Sequence, residues 1–174
     1  AEPFAIAMDI DAAGLPFLQG LTPPAGSKSV EELRQIVSWA ERPFILKGIM
    51  TARGAEKALE AGASGIVVSN HGGRVLDHCP ATAEVLPEIA DAVGGRMTIF
   101  VDGAVRSGMD IFKALALGAD AVLIGRPFVT SIYGGGEEGV KLYVQKLKAE
   151  LADTMRMCGA HSLAEIDRSM IYRG

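Results

Sequence analysis

A short segment that occurs twice constrains the fold of this 174-residue chain more than any other feature. Residues Lys57–Val68 and Lys113–Ile124 each read as the end of a helix, a glycine, a tight turn and a buried strand. Lys, Ala, Leu, Gly and Ala stand at matching places in the two copies. A repeated unit of this kind predicts parallel strands joined by helices, and therefore an α/β fold.

Short apolar runs alternate with helix-like segments along the whole chain. Strands of a parallel sheet are covered on both faces, so they are apolar throughout instead of at alternate positions. The pattern predicts one domain over residues 1–174. Its predicted strands are Phe4–Met8, Phe44–Lys47, Gly65–Ser69, Thr98–Val101 and Ala121–Ile124.

Capping residues mark where the intervening helices begin. Ser29 and Glu32 form the spacing of a capping box, and Thr51 and Ser107 precede two further helices. The glycine triplet at 134–136 is interpreted as a flexible linker ahead of the last long helix. Further helices are predicted from Thr82 to about Gly94 and from Glu137 to about Met157.

Charge and cysteine content exclude several functions. With 17 basic and 21 acidic side chains, the chain has a net charge of −4 and no field that would attract nucleic acid. No uncharged apolar run approaches the roughly 20 residues that a membrane span needs. Cys79 and Cys158 lack the spacing of a disulfide scaffold or a zinc site. We therefore expect no bound metal and a reducing, cytoplasmic location.

Reactive side chains cluster at the ends of the predicted strands, where a (β/α) barrel carries its chemistry. In the run Ser69–Arg74, His71 can exchange a proton near neutral pH and Arg74 can bind a carboxylate through two hydrogen bonds. Lys47 ends the second strand and could stabilise an anionic cofactor or substrate. An ordinary turn and a solvated lysine are the alternatives for these two motifs.

Glycines and arginines follow the last two predicted strands. Asp102, Gly103 and Arg106 come after the fourth strand, and Gly125 and Arg126 after the fifth. Glycine N–H groups, arginines and helix N-termini bind phosphate, and the loops after strands seven and eight of many barrels do so. The two loops together predict a phosphate site, although Gly125-Arg126 alone is equally compatible with a structural turn.

Taken together, these motifs resemble those of the FMN-dependent 2-hydroxy acid oxidising enzymes, such as glycolate oxidase, lactate oxidase and the flavin lactate dehydrogenases. The resemblance runs from about Phe4 to Ala164 and is most specific in the Ser-Asn-His-Gly-Gly-Arg block. It implies FMN as the cofactor and oxidation of a small L-2-hydroxy acid to the 2-keto acid. The implied fold is the C-terminal part, about strands four to eight, of a TIM (β/α)8 barrel, because such a barrel takes about 250 residues.

The resemblance also implies a role for each matching residue. His71 corresponds to the active-site base, Asp9 to the aspartate that pairs with it, and Arg74 to the arginine that binds the substrate carboxylate. Lys47 corresponds to the lysine beside the N1 and O2 edge of the flavin. The remaining implied flavin contacts are Ser69, Asp102, Gly103, Arg106, Gly125 and Arg126.

The sequence departs from the family pattern in the phosphate loop and in the segment after Asp9. Ala104 stands where a second glycine or small residue is common, and Ser107 where a second arginine is common. Residues 12–17 contain none of the further substrate-binding arginines that usually follow the aspartate, so the identity of the hydroxy acid is left open.

Partners follow from the same resemblance. A truncated or cleaved chain is expected, with the first three strands of the barrel lying on another segment of the same chain or on a second chain. A homo-oligomer is also implied. Two alternatives remain: another FMN barrel, such as a type 2 isopentenyl diphosphate isomerase, and a catalytically incomplete FMN-binding fragment.

Overall fold

One parallel sheet organises the chain, and the α/β prediction is confirmed. The computed structural model describes residues 2–12, 15–18, 20–22 and 25–172. Within these residues, each strand pairs in parallel with the next one along the chain. The strands are β1 (Ile6–Asp9), β2 (Phe44–Ile49), β3 (Gly65–Val68), β4 (Thr98–Val101) and β5 (Ala121–Val122).

Helices connect the strands and begin largely where the capping residues predict. The Ser29 hydroxyl accepts a hydrogen bond from the N–H of Glu32 (3.2 Å), and the Glu32 carboxylate accepts one from the N–H of Ser29 (2.7 Å). Thr51 and Ser107 also cap their helices. Each hydroxyl accepts a hydrogen bond from the backbone N–H three residues later, that of Gly54 and that of Asp110. The helices are α1 (Val30–Ala40), α2 (Ala52–Glu60), α3 (Thr82–Val93), α4 (Gly108–Ala116) and α5 (Arg126–Cys158), with short 3-10 helices at Pro16–Leu18, Leu163–Glu165 and Arg168–Met170.

The glycine triplet at 134–136 contains the break predicted ahead of the last long helix. Gly134 and Gly135 are helical, and Gly136 leaves helical geometry, at φ 57° and ψ −142°, which glycine adopts without steric penalty. The span α5 therefore consists of two helices that meet at Gly136. The first of them was not predicted; it begins at Arg126, with Pro127 in its first turn, where a missing N–H is tolerated.

The main core fills the space between the sheet and the helices that cover it. Leu46, Ile66 and Ile99 of the strands pack with Leu86 and Ile89 of α3, and all five are almost fully buried. This packing keeps the strands parallel, so their carboxyl ends meet at one edge of the sheet. Among the described residues, no helix is both long and apolar enough to cross a membrane.

Candidate active site

A cavity of about 370 Å³ lies at the carboxyl ends of the strands. It brings together eight of the ten residues predicted to form the site. The remaining two, Asp9 and Ser69, contact members of this group through their side chains. The eight lining residues are Lys47, His71, Arg74, Asp102, Gly103, Arg106, Gly125 and Arg126.

The loop after β3 carries the histidine in an unusual backbone conformation. His71, Gly72 and Gly73 have φ of 55°, 68° and 75°, and the left-handed region costs a residue with a side chain roughly 1–2 kcal/mol. Two hydrogen bonds hold this turn: the N–H of His71 donates to the Ser69 hydroxyl (3.1 Å), and Nε of Arg74 donates to the His71 carbonyl (2.9 Å). Local strain of this kind is typical of functional sites, and here it fixes His71 and Arg74 side by side.

The carboxylate beside the histidine is that of Asp11, which corrects the expectation that Asp9 pairs with it. Both oxygens of Asp11 lie 3.2 Å from Nδ1 of His71. Asp9 instead forms an ion pair with Lys47, with Oδ1 and Nζ 2.7 Å apart. The register of the sheet explains the difference, because Asp9 of β1 stands opposite Lys47 of β2. Asp11 comes two residues later and reaches beyond the strand to the histidine.

Lys47 lines the cavity and contacts both Asp9 and His71. Its ammonium is 3.3 Å from Nδ1 of His71, in addition to its contact with Asp9, and its side chain is only 18% exposed. A partly buried ammonium interacts with a nearby anion more strongly than a solvated one. The alternative of a freely solvated lysine therefore does not describe this residue.

Asp102 lines the cavity and carries one carboxylate oxygen without a hydrogen-bond partner among the described residues. Its Oδ2 accepts a hydrogen bond from the Ser69 hydroxyl (2.9 Å), and its carbonyl accepts one from the Thr82 hydroxyl (2.6 Å). Its Oδ1 is buried and has no hydrogen-bond partner among the described residues. Because buried polar atoms are almost always paired, this oxygen indicates a ligand that offers a hydroxyl or N–H donor.

Gly103, next to Asp102, has a structural reason to be glycine. Its φ is 104°, and a Cβ there would lie 2.6 Å from the hydroxyl oxygen of Thr82. A side chain would therefore break the contact between Thr82 and the Asp102 carbonyl. Ala104 follows at φ 58°, so the departure noted in the sequence places a residue with a side chain in the left-handed region.

The two helix N-termini at the predicted phosphate site, those of α4 and α5, differ in whether their N–H groups already have side-chain partners. That of α4 is already occupied, since Ser107 and Asp110 form a capping box and the Gly108 N–H donates to Glu150 (2.8 Å). The N-cap of α5 is Gly125, which provides no side-chain hydrogen bond. A phosphate in this cavity is therefore best placed at the start of α5.

The electrostatics of the cavity favour an anionic ligand. Four cationic side chains line it: Lys47, Arg74, Arg106 and Arg126. Asp102 is the carboxylate among the lining residues. Arg74 lies beside His71, and the guanidinium of Arg126 lies against Gly72 of the same loop, 2.9 Å from where a Cβ of Gly72 would be. Arginine side chains bind phosphate and carboxylate groups through paired hydrogen bonds.

A parallel strand-and-helix sheet whose candidate site lies at the carboxyl edge has the arrangement of a (β/α) barrel. The comparisons with known proteins agree. The model of the FMN-dependent dehydrogenase family matches residues 17–173, and the chain belongs to this family.

Several relatives of the chain are 2-hydroxy acid oxidases by name. The chain is 49% identical over 144 residues to a peroxisomal (S)-2-hydroxyacid oxidase of Arabidopsis thaliana, covering 83% of this chain and 39% of the relative. It is also 49% identical over 144 residues to glycolate oxidase of Spinacia oleracea, covering 83% and 38%. The match to 2-hydroxyacid oxidase of Dictyostelium discoideum is 45% identical over 141 residues, covering 81% and 36%.

A solved structure confirms the predicted part-barrel. A mandelate oxidase variant with a monooxide FMN adduct superposes with a TM-score of 0.84 at 38% identity, over 95% of this chain and 53% of that one. The chain thus spans about two fifths of the length of the named relatives above and about half of this oxidase.

Proposed function

We propose that this chain forms the base, the carboxylate site and the phosphate site of an FMN-dependent enzyme that oxidises a small L-2-hydroxy acid to the 2-keto acid. One observation carries the proposal: His71, paired with Asp11, stands beside Arg74 in a cavity that Arg106 and Arg126 also line. A base adjacent to a carboxylate-binding group matches a substrate whose hydroxyl lies next to its carboxylate.

The charge of the cavity fits FMN. Asp102, whose Oδ1 has no partner among the described residues, would accept a hydrogen bond from a ribityl hydroxyl, and Arg106 and Arg126 with the start of α5 would hold the phosphate. Lys47 would lie beside the ring. When bound, FMN supplies the acceptor for the two electrons that leave the hydroxy acid.

The residues of this chain bind the substrate, take its proton and stabilise the charge that develops. Arg74 binds and orients the substrate carboxylate, so that the adjacent hydroxyl faces His71. His71 takes the proton at Nε2, while Asp11 holds Nδ1 and stabilises the resulting charge. Lys47 offers a positive charge where negative charge develops, and Asp9 keeps that ammonium in place.

The proposal also covers the extent of the domain, the oligomeric state and the location in the cell. We infer that residues 1–174 form a single domain, equivalent to about strands four to eight of a barrel, and that the remaining strands lie outside this sequence. A homo-oligomer is supported by apolar side chains exposed on α5, among them Ile132 and Leu142. A cytoplasmic location is supported by the two unpaired cysteines, Cys79 and Cys158, whereas some plant relatives are peroxisomal by name.

The test is anaerobic reduction of the flavin-loaded protein. Addition of L-lactate, glycolate or L-mandelate should bleach the visible absorbance of the flavin and yield the matching 2-keto acid. Arg74→Lys should raise the substrate concentration that gives half-maximal flavin reduction by about 10²-fold, because a bidentate contact with the substrate carboxylate is lost. Arg34→Lys, on α1, serves as the matched control and should change nothing. If FMN binds but none of these acids bleaches it, the chain binds flavin without this activity.

A further inference from the structure

One carboxylate and one ammonium compete for a single atom of the site, Nδ1 of His71. Asp11 lies 3.2 Å from this atom through both oxygens, and Nζ of Lys47 lies 3.3 Å from it. A carboxylate can only accept a hydrogen bond from a protonated Nδ1, whereas an ammonium can only donate to a bare one. Both contacts therefore cannot be hydrogen bonds at the same time.

The choice between these contacts decides which ring nitrogen can act as the base. With the proton on Nδ1 facing Asp11, Nε2 is bare and able to take a proton. If Lys47 donates to Nδ1 instead, the neutral ring carries its proton on Nε2 and has no basic nitrogen to offer. Asp9 favours the first state, because it draws the Lys47 ammonium into a 2.7 Å ion pair.

The position of Asp11 depends on a missing side chain at residue 48. Gly48 has φ of 99° and lies where the pairing of β2 with β3 shifts register, between Lys47 and Ile49. A Cβ at this position would lie 2.7 Å from Cγ and 2.8 Å from Cβ of Asp11, closer than such atoms approach in proteins. The Asp11 side chain thus packs directly against the bare backbone of Gly48.

The neighbouring backbone leaves Asp11 little room to move away. The Ile10 N–H donates to the Lys47 carbonyl (3.0 Å), which continues the β1–β2 pairing up to the residue before Asp11. The Asp11 side chain is only 13% exposed. A side chain at residue 48 would therefore displace the carboxylate itself.

We propose that Gly48 is a positioning residue for His71: by admitting the Asp11 carboxylate, it keeps the proton on Nδ1 and leaves Nε2 free as the base. This role of Gly48 extends the proposed function. Only the test by flavin reduction depends on that function being correct. Gly48 acts through Asp11, and neither the substrate nor the cofactor needs to touch it.

The first test reads the proton directly, without turnover. The chain contains three histidines, at 71, 78 and 161, so ¹⁵N NMR of the labelled protein, with His71→Asn to assign the signal, reports the ring tautomer. We expect the Nδ1–H form in the unmodified protein and loss of that form in Gly48→Ala. Gly62→Ala is the matched control, since its φ of 87° gives a similar backbone penalty while its Cβ meets only Val37, at 3.8 Å.

The second test is a double-mutant cycle on the rate of flavin reduction. Gly48→Ala should lower the rate by about 10²-fold in the unmodified protein, which is the scale of lost general-base catalysis. In an Asp11→Ala background it should lower the rate only a few-fold, because the carboxylate that it displaces is already gone. Gly48→Asn, which tolerates positive φ but still carries a Cβ, replaces the alanine variant if the latter does not fold.

Each outcome decides the question. An Nδ1–H tautomer that persists in Gly48→Ala or Gly48→Asn overturns the proposal, as does an equal effect of Gly62→Ala or full additivity with Asp11→Ala. A tautomer that changes in a protein that oxidises no 2-hydroxy acid supports the positioning role and refutes the proposed function instead.

Discussion

The hydroxyl of Tyr143, on α5, donates a hydrogen bond to the backbone carbonyl of Arg106, 3.0 Å away. The ring packs edge-on against Phe128, with centroids 5.1 Å apart. Burial raises the pKa of Tyr143, and the carboxylates of Glu150 and Asp110 raise it further, so the hydroxyl stays protonated at neutral pH. The loop that carries Arg106 is therefore held by the part of α5 after Gly136, and the ring contact with Phe128 connects that part to the start of α5.

Removing this tie should weaken FMN binding. Tyr143→Phe keeps the ring and loses one hydrogen bond worth about 1 kcal/mol, so the Kd for FMN should rise roughly 5-fold in a flavin fluorescence titration. Tyr133→Phe, an exposed tyrosine on the same helix, is the control. Equal Kd values for the two variants would show that the contact does not hold the phosphate loop in place.

The phosphate site itself is tested by comparing FMN with riboflavin, which lacks the phosphate. Arg126→Gln should raise the Kd for FMN by about 10- to 100-fold, the range expected for a charge-assisted hydrogen bond, and leave the Kd for riboflavin nearly unchanged. Arg34→Gln, whose side chain instead contacts Glu60 on α2, should alter neither value. Equal losses for both flavins would place Arg126 away from the phosphate.

The close packing of α4 against α5 predicts a difference between two glycines. A Cβ on Gly108 would collide with the backbone nitrogen of Leu151, whereas one on Gly134 would meet nothing within 4 Å. Gly108→Ala should lower the free energy of unfolding by about 1–3 kcal/mol through overpacking. Gly134→Ala should raise it by roughly 0.5–1 kcal/mol, since helical glycine is unfavourable. Urea unfolding measures both, and a mild effect at Gly108 would contradict the close helix approach.

Asp110 makes the start of α4 sensitive to acid. Burial would raise the pKa of Asp110, but hydrogen bonds from the Ser107 hydroxyl and from the N–H groups of Arg106 and Ser107 outweigh it, and Lys113 adds to them, so the pKa lies below its usual 3.8. A lowered folded-state pKa gives stability that is present above the unfolded value and is lost as the pH falls through the folded value.

The measurement is unfolding of Asp110→Asn as a function of pH. This variant should be about 1 kcal/mol less stable than the unmodified protein at pH 7, as expected for a lost cap. That difference should shrink as the pH falls below 3.8. Asp120→Asn, just before β5, is the control that shows whether loss of any aspartate gives this pH dependence. A stability difference for Asp110→Asn that is the same at all pH values would contradict the lowered pKa of Asp110.

Local signals predicted much of the fold. Each strand lies within two residues of its expected bounds, because continuous apolar runs and glycine turns are properties of neighbouring residues. The cap at Ser29 is likewise a contact between residues three apart. The site followed from the same logic, since parallel strands carry the residues after their ends to one edge.

Features that depend on packing could not be predicted in this way. Asp9 and Asp11 are two residues apart and would share one side of an extended chain, so their spacing did not reveal which of them meets His71. The pairing of Asp9 with Lys47 in the sheet did. The bonds from α5 to Arg106 and Gly108 join residues 37 and 42 positions apart. Such contacts have no signature in a local pattern.

The order of the strands in space is their order along the chain. Synthesis therefore delivers Asp11, Lys47 and His71 before Arg126 and Tyr143. The residues around His71 are made first, and a nascent chain has no complete phosphate site of the predicted kind until α5 has been synthesised.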